Sequence, residues 1–142
     1  VLVMDDYAHH PTEIRVTLDA LRSAYPQRRL VAIFQPHLYS RTRDFLGQFA
    51  EALAAADVLI VTDIYAARET PLEGVRASDI VALANKHGAD ARGLAPPDQS
   101  GIPSMLAGIV YRGGLTVVLG AGDIRMQGEA FLRLLRDWNA IL

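Results

Sequence analysis

Val1-Leu2-Val3-Met4-Asp5-Asp6-Tyr7-Ala8-His9-His10-Pro11 reads as an apolar run, a polar corner and the opening of a helix. Four apolar residues predict a buried strand over Val1 to Met4, and the fixed φ of Pro11 suits a first helical turn. Asp5 to His10 then fall on a strand-to-helix loop. The same unit recurs outward along the chain. Leu30 to Phe34 (LVAIF), Val58 to Val61 (VLIV) and Leu115 to Leu119 (LTVVL) are continuously apolar, the mark of strands covered on both faces. A weaker strand is expected near Ala91 to Ala95, followed by a turn at Pro96-Pro97 and Asp98-Gln99-Ser100-Gly101.

Between these runs the spacing turns helical. Ile14, Leu18, Leu21 and Tyr25 form one stripe that Pro26 ends. From about Thr42, Phe45, Leu46, Phe49 and Leu53 predict a second helix, with Ser40 as its N-cap and Asp44 in its first turn. Ser78 caps an expected helix carrying Ile80, Val81 and Leu83, and Gly88 sits where a left-handed residue would close it. Ile102, Leu106, Ile109 and Val110 suggest another, and Phe131, Leu134, Leu135 and Trp138 the last. Strands alternating with helices predict one α/β domain over residues 1–142: a three-layer Rossmann-like arrangement whose mostly parallel sheet has about six strands flanked by helices.

Composition narrows the function. At 142 residues, 51% hydrophobic and 21% charged, the chain suits one globular domain. Its net charge of −2 gives no general attraction to nucleic acid or to an anionic membrane, so neither is expected as a partner. The absence of cysteine removes disulfides, thiolate metal sites and a cysteine nucleophile. With no apolar stretch long enough to span a bilayer and no secretory leader pattern, the cytoplasm is the default location. Val1 lies already inside an apolar run, which suggests a piece of a longer polypeptide.

Four loops follow strands: Asp5 to His10, Gln35 to Thr42, Thr62 to Thr70 and Gly120 to Asp123. In an open parallel sheet such loops gather at one crevice, and this set suits an anionic or zwitterionic small ligand. Each also has a plainer reading. Asp5 and Asp6 either meet a ligand or simply answer the positive end of the next helix. His9 and His10 diverge as neighbours and lack a second spaced pair, which disfavours a metal and favours a ligand contact or a helix cap. Arg41 and Arg43, near the expected helix start, are either a solvated pair or, in the functional reading, Arg41 meets a carboxylate or phosphate. Gly120-Ala121-Gly122 is either a tight turn or a close backbone approach to a ligand, and Arg125 at the sixth position breaks the dinucleotide fingerprint of an NAD-type oxidoreductase. Neither a phosphate loop, a G-x-S-x-G elbow nor H-E-x-x-H occurs, so no complete catalytic set is present.

Taken together, Asp5-Asp6-Tyr7-Ala8-His9-His10-Pro11-Thr12-Glu13, Phe34-Gln35-Pro36-His37-x-Tyr39-Ser40-Arg41-Thr42, Thr62-Asp63-Ile64-Tyr65-Ala66-Ala67 and Gly120-Ala121-Gly122-Asp123 resemble the C-terminal domain of the UDP-N-acetylmuramate–L-alanine ligase family of Mur ligases. The resemblance implies an ATP-dependent amide ligase of peptidoglycan synthesis, whose substrates are UDP-N-acetylmuramate and L-alanine and whose reaction passes through an acyl phosphate. ATP and Mg2+ would be held mainly by a central domain, which with a UDP-sugar domain precedes this one in cis. It further implies that Asp6 and Tyr7 face ATP, that His9 and Arg41 face the amino acid, and that His10, His37, Asp63, Tyr65, Gly120, Gly122 and Asp123 line the crevice without individual roles. No metal ligand is implied here, and the domain alone would be inactive. One position departs from the pattern: Leu38 stands where the family commonly has a second arginine. A murein-peptide recycling ligase, with a similar first loop, and a non-catalytic nucleotide- or anion-binding module are the competing readings.

Overall fold

Continuously apolar strands need cover on both faces, and the computed structural model, which describes residues 2–93, 101–109 and 113–141, supplies it. In chain order the elements are β1 (Leu2–Asp6), α1 (Pro11–Ala24), β2 (Leu30–Phe34), α2 (Tyr39–Asp44), α3 (Leu46–Leu53), β3 (Val58–Val61), α4 (Ala77–Lys86), β4 (Asp90–Gly93), α5 (Ile102–Ile109), β5 (Leu115–Leu119) and α6 (Arg125–Ile141). The strands form one sheet in the order β1-β5-β2-β3-β4, and every pairing is parallel. The described residues thus carry five strands rather than about six.

Alternation along each strand sorts its side chains between two cores. Leu30, Ala32, Phe34, Leu59, Val61, Leu115, Val117 and Leu119 face one side, where they meet Ile14, Leu18, Phe49, Leu53 and Ile80 of α1, α3 and α4. Val31, Ile33, Val58, Ile60 and Val118 face the other, against Ile102, Leu106 and Ile109 of α5 and Phe131 of α6. The chain steps outward from β2 to β4 with its helices on the first side, then returns through α5 on the second to place β5 between β1 and β2. Face and direction of travel reverse together, which keeps the crossovers of one hand.

Several local expectations are corrected. β1 runs on through Asp5 and Asp6, so these carboxylates belong to the strand and not to the loop. Nor is β1 buried: it is an edge strand, with Met4 39% exposed. The single helix expected from Thr42 starts earlier and breaks at Phe45, giving α2 and α3. Ser40 lies inside α2 and does not cap it, and Asp44 is its last residue. Arg41 and Arg43 therefore occupy the final turn, where the dipole favours cations. Ser78 is likewise inside α4, whose N-cap is Arg76, while Gly88 has the positive φ, 91°, expected of a residue closing a helix. Residues 94–100, with the expected Pro96-Pro97 turn and the end of the weak strand at Ala95, lie outside the described residues, as do Val110 and the side chain of Trp138.

Candidate functional site

Register fixes where the loops emerge. Asp6 lies opposite Leu119, Leu119 opposite Phe34, and Phe34 opposite Val61, so four strands end level and their loops leave the sheet along one edge. The reversal of strand order at β5 sits in the middle of this edge, the position at which open parallel sheets open a crevice.

The first loop is built from Asp6. Its Oδ1 accepts the Ala8 N–H at 2.8 Å and its Oδ2 the Thr17 hydroxyl at 3.1 Å, so the carboxylate folds the corner and ties it to α1. Tyr7 is thrown outward, 70% exposed, with its ring edge-on to His9 at 5.5 Å. His9 places Nδ1 2.9 Å from the Tyr7 carbonyl and 3.8 Å from Glu13. His10 caps α1: its Nδ1 accepts the Thr12 N–H at 3.3 Å while Glu13 accepts the His10 N–H at 3.1 Å, and its ring turns toward Phe45.

The second and third loops are laced together. Leu38 donates its N–H to the Tyr65 carbonyl at 2.9 Å, and Tyr65 donates to that of Pro36 at 2.8 Å. The His37 and Tyr65 rings stack at 5.6 Å with 15° between their planes. Arg41, one turn along α2, brings a guanidinium nitrogen 3.2 Å from His37 Nδ1, and the His9 ring closes the cluster 5.8 Å from that of His37. Burial, the Arg41 charge and His9 together hold the His37 pKa below the ordinary histidine value, against a weaker opposing pull from Glu69.

Leu38 carries φ 72° and ψ 134°, a backbone that a non-glycine residue rarely adopts. Such a conformation costs on the order of 1–3 kcal/mol and is over-determined here. Besides its bond to Tyr65, its carbonyl accepts both the Thr42 N–H (3.1 Å) and hydroxyl (2.8 Å). With no local cap, α2 is capped from afar by Glu69, which takes the Ser40 N–H at 3.1 Å and the Ser40 hydroxyl. Those bonds pull the Glu69 pKa down, more than desolvation raises it.

The glycine turn completes the edge. Gln35, 2% exposed, donates to Asp123 at 2.8 Å and so locks the fourth loop onto the second. A Cβ on Gly122 would lie 2.5 Å from Gln35 Oε1 and 2.9 Å from Tyr65 Cγ, and one on Gly120 would lie 2.8 Å from Ile124. Both glycines are demanded by close packing within the protein.

Of the residues singled out, the structure gathers His9, His37, Arg41, Tyr65, Gly122 and, through Gln35, Asp123. Asp63 turns to its own loop, its Oδ1 accepting the Ile64 N–H at 3.0 Å, and borders a cleft of about 320 Å³ with Tyr39, Arg76 and Gly93. Gln35 and Glu69 were not singled out. Gln35 had a signal, a polar residue directly after a continuously apolar strand; Glu69 had none, because its partner is 29 residues away. Among the described residues no group of three His, Asp or Glu side chains could hold a metal ion. The corner leaves the Tyr7 ring open to solvent.

A parallel sheet between two helical layers, with polar loops converging at its switch point, makes this a three-layer α/β domain of Rossmann-like type. Residues 1–122 match the family described as Mur ligase, glutamate ligase domain, and the chain belongs to that family. It is 46% identical over 137 residues to the UDP-N-acetylmuramate–L-alanine ligase of Salinibacter ruber, covering 96% of this chain and 29% of that protein. The ligase of the same name from Pelobacter propionicus is 48% identical over 136 residues, 95% of this chain and 29% of that one. The chain thus spans under a third of these relatives. Among solved structures, the UDP-N-acetylmuramate–alanine ligase of Thermotoga maritima superposes with a TM-score of 0.72 at 29% identity, over 95% of this chain and 26% of that one. A domain from a putative UDP-N-acetylmuramate:L-alanyl-γ-D-glutamyl-diaminopimelate ligase of Haemophilus ducreyi shares the fold, with a TM-score of 0.67 at 22% identity, over 94% and 89% of the two chains.

Proposed function

We propose that this domain is the C-terminal part of an ATP-dependent ligase that joins L-alanine to UDP-N-acetylmuramate in peptidoglycan synthesis. The observation that carries the reading is the Arg41 guanidinium, held against His37 at the crevice edge with His9 and Tyr65 beside it. A planar cation fixed in this way grips the carboxylate of an amino acid in two hydrogen bonds. The free amine then points at the acyl phosphate that ATP makes from the sugar acid; nitrogen bonds to the carbonyl carbon and phosphate leaves. Orienting the nucleophile is this domain's contribution. Tyr7 and Asp6 sit where the domain would close on the adenosine, Tyr7 as the contact and Asp6 as the brace that folds the corner.

In this reading the phosphate loop, the Mg2+ site and the UDP-sugar site belong to domains in cis, and the relatives' greater length supports that division. The isolated domain is then inactive, and the enzyme works in the cytoplasm, where its nucleotide substrates are made. The recycling-ligase alternative is disfavoured by the Gln35 to Thr42 loop and by identities of 46% and 48% to alanine ligases. The test is turnover by the full-length protein with L-alanine and with a muramyl tripeptide as competing substrates; a preference for the tripeptide overturns the reading. Arg41→Ala is expected to raise KM for L-alanine by a factor of about 10 to 100, the loss of one charge-assisted pair. An unchanged KM would remove Arg41 from the pocket.

A further inference from the structure

Arg41 has a long side chain on a two-turn helix, and a carboxylate grip needs its guanidinium held still. Arginine only donates hydrogen bonds. The 3.2 Å contact with His37 Nδ1 therefore requires that nitrogen to be the acceptor, which puts the imidazole proton on Nε2. The ring cannot turn freely to escape this role. It stacks on Tyr65 at 15°, the His37 and Tyr65 backbones form a parallel bridge, and the N–H groups of Leu38 and Tyr65 close that bridge on either side. Tyr65 is backed in turn by Gly122, where even a methyl group would collide with its ring. Arg43 does not share the task, because it is paired with Asp44 at 2.9 Å, and the Leu38 side chain has no donor to offer.

We propose that His37 is a positioning residue for the amino-acid site: its unprotonated Nδ1 holds the Arg41 guanidinium in its gripping orientation, and protonation of His37 releases it. This rests on the ligase reading of the preceding section and gives that site a pH dependence. A proton on Nδ1 would set two donors and two positive charges face to face. The groups facing His37 are Arg41 from α2, His9 from the first loop, and Tyr65 and Glu69 from the third. Glu69 alone favours the charged form, and its carboxylate is already engaged by Ser40. The neutral ring is thus the state the site is built for.

The experiment uses the full-length ligase and follows KM for L-alanine and kcat from about pH 5.5 to 8, around and below the ordinary histidine value of ~6.5. In the unsubstituted enzyme KM is expected to rise toward the acid end with kcat little changed. His37→Asn keeps an acceptor oxygen near the Nδ1 position but cannot take up a proton. It should hold KM within about threefold of the unsubstituted value and abolish the additional acid rise, whereas His37→Ala should raise KM about tenfold. The ammonium of alanine titrates alike in all variants, so their comparison isolates His37. As a readout independent of turnover, imidazole 15N NMR should show the Nε2–H tautomer, and Arg41→Ala should raise the His37 pKa. An acid rise that persists in His37→Asn, an Asn variant as impaired as the Ala variant, or a His37 pKa indifferent to Arg41 would each overturn the proposal. If Arg41→Ala itself leaves KM unchanged, the ligase reading of the pocket fails as well; if it raises KM while His37→Ala at neutral pH does not, only the positioning role is lost.

Discussion

Gly122 shows how one missing side chain sets the site. Its place is decided by sterics alone, since a Cβ there would stand 2.5 Å from Gln35 Oε1 and 2.9 Å from the Tyr65 ring. Of the two groups it would press on, Gln35 is tied to Asp123, and Tyr65 is stacked on His37, which contacts Arg41. Gly122→Ala is therefore expected to cost about 1–3 kcal/mol in urea unfolding and, in the proposed ligase, to raise KM for the amino acid with little change in kcat. A variant of unchanged stability and KM would mean that Tyr65 is not fixed by this contact. At the same scale, Leu38 keeps a backbone that its own sequence disfavours, because the turn into α2 is held by bonds to Tyr65 and Thr42.

At the scale of elements, ties between helices and strand starts matter as much as the apolar stripes. Asp57, just before β3, accepts the Leu30 N–H at 2.8 Å and pairs with Arg22 of α1 at 2.9 Å, while Arg22 also donates to the Ala55 carbonyl at 3.0 Å. Partial burial works to raise the Asp57 pKa, but the Arg22 and Leu30 hydrogen bonds and the positive charges of Arg22 and Arg29 outweigh it and hold the pKa below the usual value. A carboxylate depressed on folding stabilises above its unfolded pKa of about 3.9, and that contribution fades as pH falls through the folded value. Asp57→Asn should thus lose about 1 kcal/mol at neutral pH, discounted for its exposure, with the gap to the unsubstituted protein closing below about pH 4. Thermal melts across pH check this; a gap that widens in acid contradicts it. Asn85 makes a comparable tie at the other edge, its side chain exchanging hydrogen bonds with both the N–H and the carbonyl of Ala91 in β4 (2.8 and 3.2 Å).

At the scale of the whole molecule, two cores share one sheet, and the crevice is formed where loops from both sides meet. Phe131 anchors the second core and is fully buried beneath the sheet. Phe131→Ala should lose about 3–5 kcal/mol of stability. In the proposed ligase, the full-length protein that remains folded should keep its KM for the amino acid, because His9, His37, Arg41 and Tyr65 sit on segments carried by β1, β2 and β3, and only the Gly122 turn behind Tyr65 follows β5. Denaturant unfolding beside steady-state kinetics checks both halves, and a raised KM would show that the cores are coupled through the site.

The sequence by itself determined the α/β class, the three continuously apolar strands, the proline-started helix α1, and the polar loops that leave one edge of the sheet. These rest on periodicity and on residues whose conformational preferences are local. It misplaced what depends on partners distant in the chain. Asp5 and Asp6 read as loop residues because their polarity masks an edge strand, whose outer side solvent can reach. The break between α2 and α3 was hidden in an unbroken apolar stripe. Tertiary structure alone decided that Glu69 would cap α2, that Gln35 would lock Asp123, and that Asp63 would border a cleft with Arg76 and Gly93. Hydrogen bonds between residues 29 and 88 positions apart leave no periodic trace, since their partners are chosen by strand order and register.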